Sequence, residues 1–429
     1  MNPPVSHTTL HPAWLRRAAL FGAMLISGGL MLFPRQPILA LVIVLCLFIT
    51  HDRLPTWRRM WPLFMLLAAI LLVTLVRPGP VSIPSLVSRF SNYLAALLLL
   101  QVYLRAPVWS LAQDLRVLLM PMAWQAIATV VLAQLVGELF VPLAIGQMKY
   151  LTLLGLFNYH ITIDGLTTFV RPDGFFFEPG VFQIYLNLYL YLALFVFRQP
   201  LQAALAVVAV LCTQSSTGLI ICLILLGGAL VRHLSGSTLS RKLSVLLLAL
   251  VLAPPLLYLG YDNINDKLFG TAQGSSWARE YDLFTGLNII AENPWLGIGF
   301  EVERYLAASG RLGFEDTLLT SSQLEERPTS NGVVQVFYSL GIPLGLVLVV
   351  GAFRQKVFKH RILIGLWLVL SMFGEALFFT PFFLFIVFSA FLVLPGTRRQ
   401  PGRQQARRRP TATAAPLSPL QQPAREISP

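Results

Sequence analysis

Residues Trp277 to Phe300 read WAREYDLFTGLNIIAENPWLGIGF, a charged, turn-punctuated stretch inside a chain that is otherwise mostly apolar. Tyr281, Phe284, Leu287 and Ala291 recur at helical spacing, and Asn293–Pro294 closes the run. The LGIGF that follows has two glycines suited to a tight turn. The pattern predicts an amphipathic helix lying near a membrane and ending in a turn. That helix sits in an island, residues 262–330, holding 11 of the 19 acids and 5 of the 32 Lys and Arg. Apolar segments flank the island on both sides. Trp277, Trp295, Phe300 and Tyr305 give it groups that can pack, so it reads as a large ordered loop outside the membrane.

Working outward, the chain is 429 residues long, 56% hydrophobic and only 12% charged, too apolar for a soluble protein. Apolar segments fall at about 18–33, 37–50, 61–76, 86–104, 117–146, 178–197, 201–214, 217–231, 243–260, 332–352, 362–379 and 380–395. The fold class expected is therefore all-α: a polytopic integral membrane protein with about 12 (10–12) transmembrane helices. The segments 37–50, 201–214 and 217–231 are short for a span, which sets the lower bound. Residues 1–395 would form the transmembrane domain, with a first long outer loop at 147–177 and the large loop at 262–330. Residues 396–429, rich in Pro, Gln, Ala and Arg, read as a disordered basic tail.

Charge sets the orientation. With the N-terminus in the cytoplasm, 22 basic residues fall inside and 10 lie outside or near the outer face. Both termini are then cytoplasmic. The net charge of +13 reads as a topology signal and contact with anionic membrane lipid, not as a nucleic-acid surface, because the basic residues are scattered over short loops. Arg16–Arg17 and the apolar run after them look like a signal peptide, but no A-x-A-like site follows, so they read as an uncleaved first helix. Cys46, Cys212 and Cys222 all lie in apolar segments and read as small buried hydrophobes.

Candidate chemistry lies in the two long outer loops. No phosphate-binding loop, HExxH, CxxC or D-x-D pair occurs at a usable place, so no cofactor and no metal are expected. Arg171 opens RPDGFFFEPG, and Arg279 opens the island helix. A guanidinium is always charged and donates in a planar fork that suits diphosphate or carboxylate oxygens, although an interfacial arginine also snorkels to lipid headgroups. Glu178, just before Pro179, reads either as a helix N-cap or as a carboxylate able to serve as general base. Phe182, Tyr185 and Tyr189 share a face of the helix after it, either to stack on sugars or to pack. Arg89, Glu138 and Glu375 are ionisable groups inside apolar segments, each towards an outer end, and Gln134 is expected to share a helix face with Glu138. His160 is the one outer-loop histidine and a lesser candidate base.

Four stretches, in this order and spacing, resemble the O-antigen ligase/polymerase superfamily of bacterial inner-membrane proteins: RPDGFFFEPGVFQIYL (Arg171 to Leu186), QSSTG (Gln214 to Gly218), AREYDLFTGLNIIAENPWLGIGF (Ala278 to Phe300) and SNGVVQVFYSLGIPLGL (Ser330 to Leu346). The resemblance covers roughly residues 165–350. It implies a glycosyltransferase whose donor is a polyprenyl-diphosphate-linked oligosaccharide, either a Wzy-type polymerase of exopolysaccharide or O-antigen-like repeats, or a ligase moving a glycan onto lipid A core. Where ligases carry a His beside an Asn, this chain reads Thr329, Ser330, Asn331. The FEPG element is similar to exopolysaccharide polymerases, and the length and opening resemble the xanthan type. By this resemblance Arg171 and Arg279 are catalytic; Glu178 joins them as the expected base, and Arg304, Arg327 and Asn331 are expected to bind substrate, with Tyr185 as the aromatic that could stack on a sugar. It places the long loops in the periplasm and implies a chain-length regulator and a flippase of the same pathway as partners. A flippase or other transporter of lipid-linked sugars is the alternative of a different class; it would put polar groups near the midplane of the bundle.

Overall fold

The computed structural model describes residues 12–29, 35–51, 57–77, 82–107, 109–145, 148–160, 170–234, 273–309 and 329–393. The expected span at 243–260, Arg327 and the basic tail at 396–429 lie outside the described residues. The helices are α1 (Ala13–Ile26), α2 (Arg35–Thr50), α3 (Trp57–Val76), α4 (Ile83–Arg105), α5 (Ser110–Val136), α6 (Pro179–Tyr191), α7 (Pro200–Cys212), α8 (Ser216–Leu234), α9 (Gln273–Glu292), α10 (Val302–Ser309), α11 (Gly332–Arg354), α12 (Arg361–Gly374) and α13 (Pro381–Phe388). Four of them, α4, α6, α7 and α13, start with proline in the first turn, where a missing N–H costs nothing.

Among the described residues, six helical stretches are long and apolar enough to cross a membrane: Arg59–Val76, Ile83–Arg105, Ser110–Leu139, Pro179–Phe197, Ser216–Leu234 and Gly332–Arg354. Shorter apolar helices accompany them, among them α2, α7 and α12. The protein is thus an all-α polytopic membrane protein. Its centre is α6, buried along almost its whole length, and α13, whose eight residues are all buried. A helix apolar on every side belongs in the middle of a bundle. Around this centre α1 packs on α2 and α5, α4 on α2 and α13, α7 and α8 on α6, and α12 on α8 and α11. The outward faces of the peripheral helices stay apolar, with Leu41, Trp61, Leu72 and Trp124 exposed, as lipid contact requires. At the end of the bundle where α1 begins, Arg16 Nε and Arg17 Nε donate to opposite oxygens of buried Asp114, at 3.2 and 2.9 Å.

The apolar run expected at 117–146 is not one span. Helix α5 stops at Val136, Gly137–Leu139 make a 3₁₀ turn, and an antiparallel meander follows: β1 (Val141–Ile145), β2 (Met148–Leu153) and β3 (Phe157–His160). Hydropathy alone cannot separate a helix from a short run of strand. Glu138 is exposed beyond the helix end, so it does not share a helix face with Gln134.

A helix and a turn form where the sequence suggests: α9 ends at Glu292, and Gly297 and Gly299 take φ of 62° and 95°. Of the expected apolar stripe, Phe284, Leu287 and Ala291 are exposed, and the helix buries Asp282, Thr285 and Ile289 instead. The turn plugs a break in α11. Gly341 (φ 78°, ψ 168°) interrupts that helix, leaving carbonyls without helical partners. Ile298 N donates to Tyr338 O at 2.7 Å, Gly299 N to Ser339 O at 3.2 Å, and Ile342 N to Pro294 O at 2.7 Å. A Cβ at Gly341 would stand 2.2 Å from Trp295 O, and one at Gly297 would stand 2.3 Å from Tyr338 O. Backbone meets backbone here with no room for a side chain. Arg77 clamps the joint, donating to Gly297 O and Ser339 O at 2.9 Å each and also to Leu296 O. Arg89 donates to Phe300 O at 3.2 Å and lies 3.7 Å over the Phe300 ring.

Candidate functional site

The first arginine is held by the meander. Tyr159 bridges to Pro172, Asp173 N donates to Asn158 O at 2.8 Å, and Asn158 Nδ2 donates to Gly174 O at 2.9 Å. Tyr150 OH donates to Phe177 O at 2.9 Å. These contacts pin RPDGFFFEPG between β3 and α6. Arg171 is half-buried there, and its Nε donates to Thr213 O at 3.3 Å, joining the loop to the end of α7 just before QSSTG. Burial lowers the Arg171 guanidinium from its usual value; Asp173 and Glu178 oppose that, and Arg279 adds to it. Arg171 therefore stands electrostatically beside both Glu178 and Arg279.

Asp173 is fully buried and meets His160 Nδ1 at 2.9 Å. Burial raises its carboxyl to about 6, although His160 and Arg171 both favour the charged form. The pair fastens β3 to the loop that carries Arg171. This is where His160, the lesser candidate base, is placed.

Glu178 occupies the N-cap position of α6, but its side chain makes no capping hydrogen bond. It turns to Glu375 instead. The sequence reading put Glu375 within a span; α12 ends at Gly374, so Glu375 lies in the connection to α13 and is 4% exposed. The two carboxyl groups come together, close enough to interact. Both reach the space over Gly180, where a Cβ would lie 2.4 Å from Glu375 Oε1 and 3.4 Å from Glu178 Oε1. Burial, then the charge and hydrogen bond of Glu178, hold the Glu375 carboxyl well above the usual carboxylate range, with Arg279 acting the other way.

Arg279 arrives from α9. Its Nη2 lies 3.9 Å from the Cβ position of Gly374, and Thr217 Oγ1 of the QSSTG stretch lies 3.6 Å from the same point. One turn along α9, Asp282 is 2% exposed and accepts from Ser330 N at 2.8 Å, Ser330 Oγ at 2.5 Å and Tyr305 OH at 3.3 Å. It ties α9 to the start of α11 and so sets the height of Arg279. Gly332 brings α11 onto the Glu375 connection, its Cβ position 2.6 Å from Glu375 O. The four stretches that carry the family resemblance thus meet at one end of the bundle, although Arg171 and Arg279 are far apart in sequence.

The remaining expected residues are placed as follows. Asn331 is the N-cap of α11, accepting from Val334 N at 3.0 Å. Arg304 donates to Ile298 O at 3.2 Å beside Arg77, on the turn that plugs α11. Tyr185 is fully buried, stacked 4.6 Å from Phe176, with its hydroxyl donated to Met24 O at 3.1 Å. Phe182 and Tyr189 are equally buried, so this stripe packs inside the bundle. Arg327 is outside the described residues. Glu375, Asp282, Arg77 and Tyr150 were not singled out together by sequence; only Glu375 carried a signal, as a charge in an apolar run. Among the described residues no three His, Cys, Asp or Glu come together as a metal site. An apolar groove of about 670 Å³ lies beside the site between α1, α5 and the β2–β3 turn, walled by Phe21, Met120, Trp124, Leu156, Phe157 and Phe175.

Two guanidiniums facing a carboxyl pair can bind an anionic, doubly charged group and take up a proton next to it. Residues 201–349 match the family model Wzy_C, described as O-antigen ligase. The match runs from α7 into α11, includes Arg279, and leaves Arg171, Glu178 and Glu375 outside it. The match supports a relationship of this segment to the O-antigen ligase/polymerase superfamily and a role in polysaccharide biosynthesis. No curated protein matched the chain.

Proposed function

We propose that this chain, whose residues 201–349 match the O-antigen ligase family model, polymerises polyprenyl-diphosphate-linked oligosaccharide repeats at the periplasmic face of a bacterial inner membrane. The observation that supports this most is the meeting of Arg171, Arg279 and Glu178 at one end of an apolar bundle. Outside the cytoplasm a sugar must arrive already activated, and a polyprenyl diphosphate supplies both anchor and leaving group. Arg171 and Arg279 would hold the diphosphate and stabilise the charge that grows on it as the glycosidic bond to C1 breaks. Glu178 would take the proton of the acceptor hydroxyl as its oxygen bonds to C1. The apolar groove ending at Phe175, three residues before Glu178, would seat the hydrocarbon chain of the carrier.

Thr329–Ser330–Asn331, in place of a His–Asn pair, favours polymerase over ligase: Ser330 is engaged with Asp282 and Asn331 with its own helix. The test is incubation of the purified protein in nanodiscs with polyprenyl-diphosphate-linked repeats and no nucleotide. A ladder of lengthening chains is expected. A single transfer onto lipid A core would make it a ligase. Movement of the intact lipid-linked unit across a vesicle, with no new linkage, would make it a transporter.

A further inference from the structure

Glu375 takes no part in the proposed step, yet it is a buried carboxyl at the site. It comes from the α12–α13 connection, meets Glu178 over Gly180, and has Arg279 on its other side at Gly374. The backbone of α11 at Gly332 closes over it. Two carboxylates in hydrogen-bond contact do not both ionise; one keeps a proton and donates it to the other. A neutral Glu375 also removes one negative charge from beside the place where a diphosphate would sit.

We propose that Glu375 is a positioning residue: it holds a proton between itself and Glu178, fixes the Glu178 carboxylate towards the acceptor, and sets the alkaline limit of activity. The inference rests on the polymerase reading of the same site. In the step itself the acceptor oxygen bonds to C1, the C1–O bond to the diphosphate breaks with its electron pair, and the acceptor proton passes to Glu178. The pair then holds two protons and returns one to solvent before the next turnover. Above the pH at which the shared proton leaves, the pair carries two negative charges and repels the diphosphate. The groups that face the pair are Arg279 from α9, Arg171 from the 170–178 loop and, through Gly374, the Thr217 hydroxyl of α8.

Two measurements test this. The first is infrared titration of the wild-type protein at about pH 8, where Asp173 is already ionised. A protonated-carboxyl band is expected there, lost in Glu375→Gln. Its absence from the wild type overturns the proposal without reliance on any variant. The second is the pH profile of kcat. The wild type should fall about tenfold per pH unit on the alkaline side. Glu375→Gln, whose amide keeps a donor towards Glu178 and cannot lose it, should lack that limb. An unchanged limb in Glu375→Gln overturns the proposal. A wild type that forms no polymer at any pH overturns the polymerase reading instead, while the infrared band still decides whether the proton is shared.

Discussion

Glu178 and Glu375 bring their carboxyl groups together over Gly180, which has no side chain to fill the space. One comes from the start of α6 and the other from the end of α12, so their meeting depends on both helices ending at the same height. The missing Cβ of Gly180 is what leaves room for Glu375.

Gly180→Ala should therefore act on chemistry more than on folding. The added methyl would displace the end of a flexible side chain and no backbone. We expect kcat to fall at least tenfold with a melting temperature close to wild type, measured by chain elongation and by thermal unfolding in detergent. Unaltered kcat would mean that the position of Glu375 is immaterial.

Arg171→Ala and Arg279→Ala should each lower kcat by about 10²–10³, the usual loss when one preorganised donor to a developing anion is removed. Lysine should restore little of it, because a single ammonium does not reproduce the guanidinium fork. Arg171→Lys also loses the Nε donor to Thr213 O that joins the loop to α7. Steady-state kinetics with a lipid-linked repeat would check both.

Tyr185→Phe should cost about 1 kcal/mol of stability through loss of its hydrogen bond to Met24 O and leave KM for the lipid-linked repeat as it was. A raised KM with unaltered stability would return the ring to the sugar site.

Arg77→Ala should open the joint between the PWLGIG turn and α11. Three backbone carbonyls lose a charged donor, and a loss of about 3 kcal/mol is expected. Burial, then the charge of Arg304, lower Arg77 to about 10, so it remains cationic at neutral pH and should clamp the turn throughout the working range. Limited proteolysis near Trp295 would report the opening.

The helices were legible because apolar runs, flanking prolines and the Asn293–Pro294 stop are local signals. The break in α11 was not legible: 332–352 reads as one apolar span, and the turn that fills the break at Gly341 lies some 40 residues earlier in the chain. The meander was missed because β1 continues the apolar run of the helix before it while β2 and β3 fall in a stretch that reads as an outer loop, and its purpose, holding Arg171 and Phe177 in place, shows only in three dimensions. At the site, Arg171 and Arg279 could be picked out by chemistry and motif. Their approach to each other, and the partnership of Glu178 with Glu375, could not, since no local pattern encodes which helix ends share a level. Tyr185 illustrates the reverse case: an aromatic at helical spacing reads equally well as a sugar platform or as core, and burial places it in the core.

The most direct test of the central claim is the stoichiometry of polyprenyl diphosphate release during elongation, in wild type and in the Arg171→Ala/Arg279→Ala double variant, without nucleotide. One diphosphate released per linkage formed by the wild type, and neither release nor linkage by the double variant, is the predicted result. Elongation that persists in the double variant would contradict the assignment of these two arginines to the departing diphosphate.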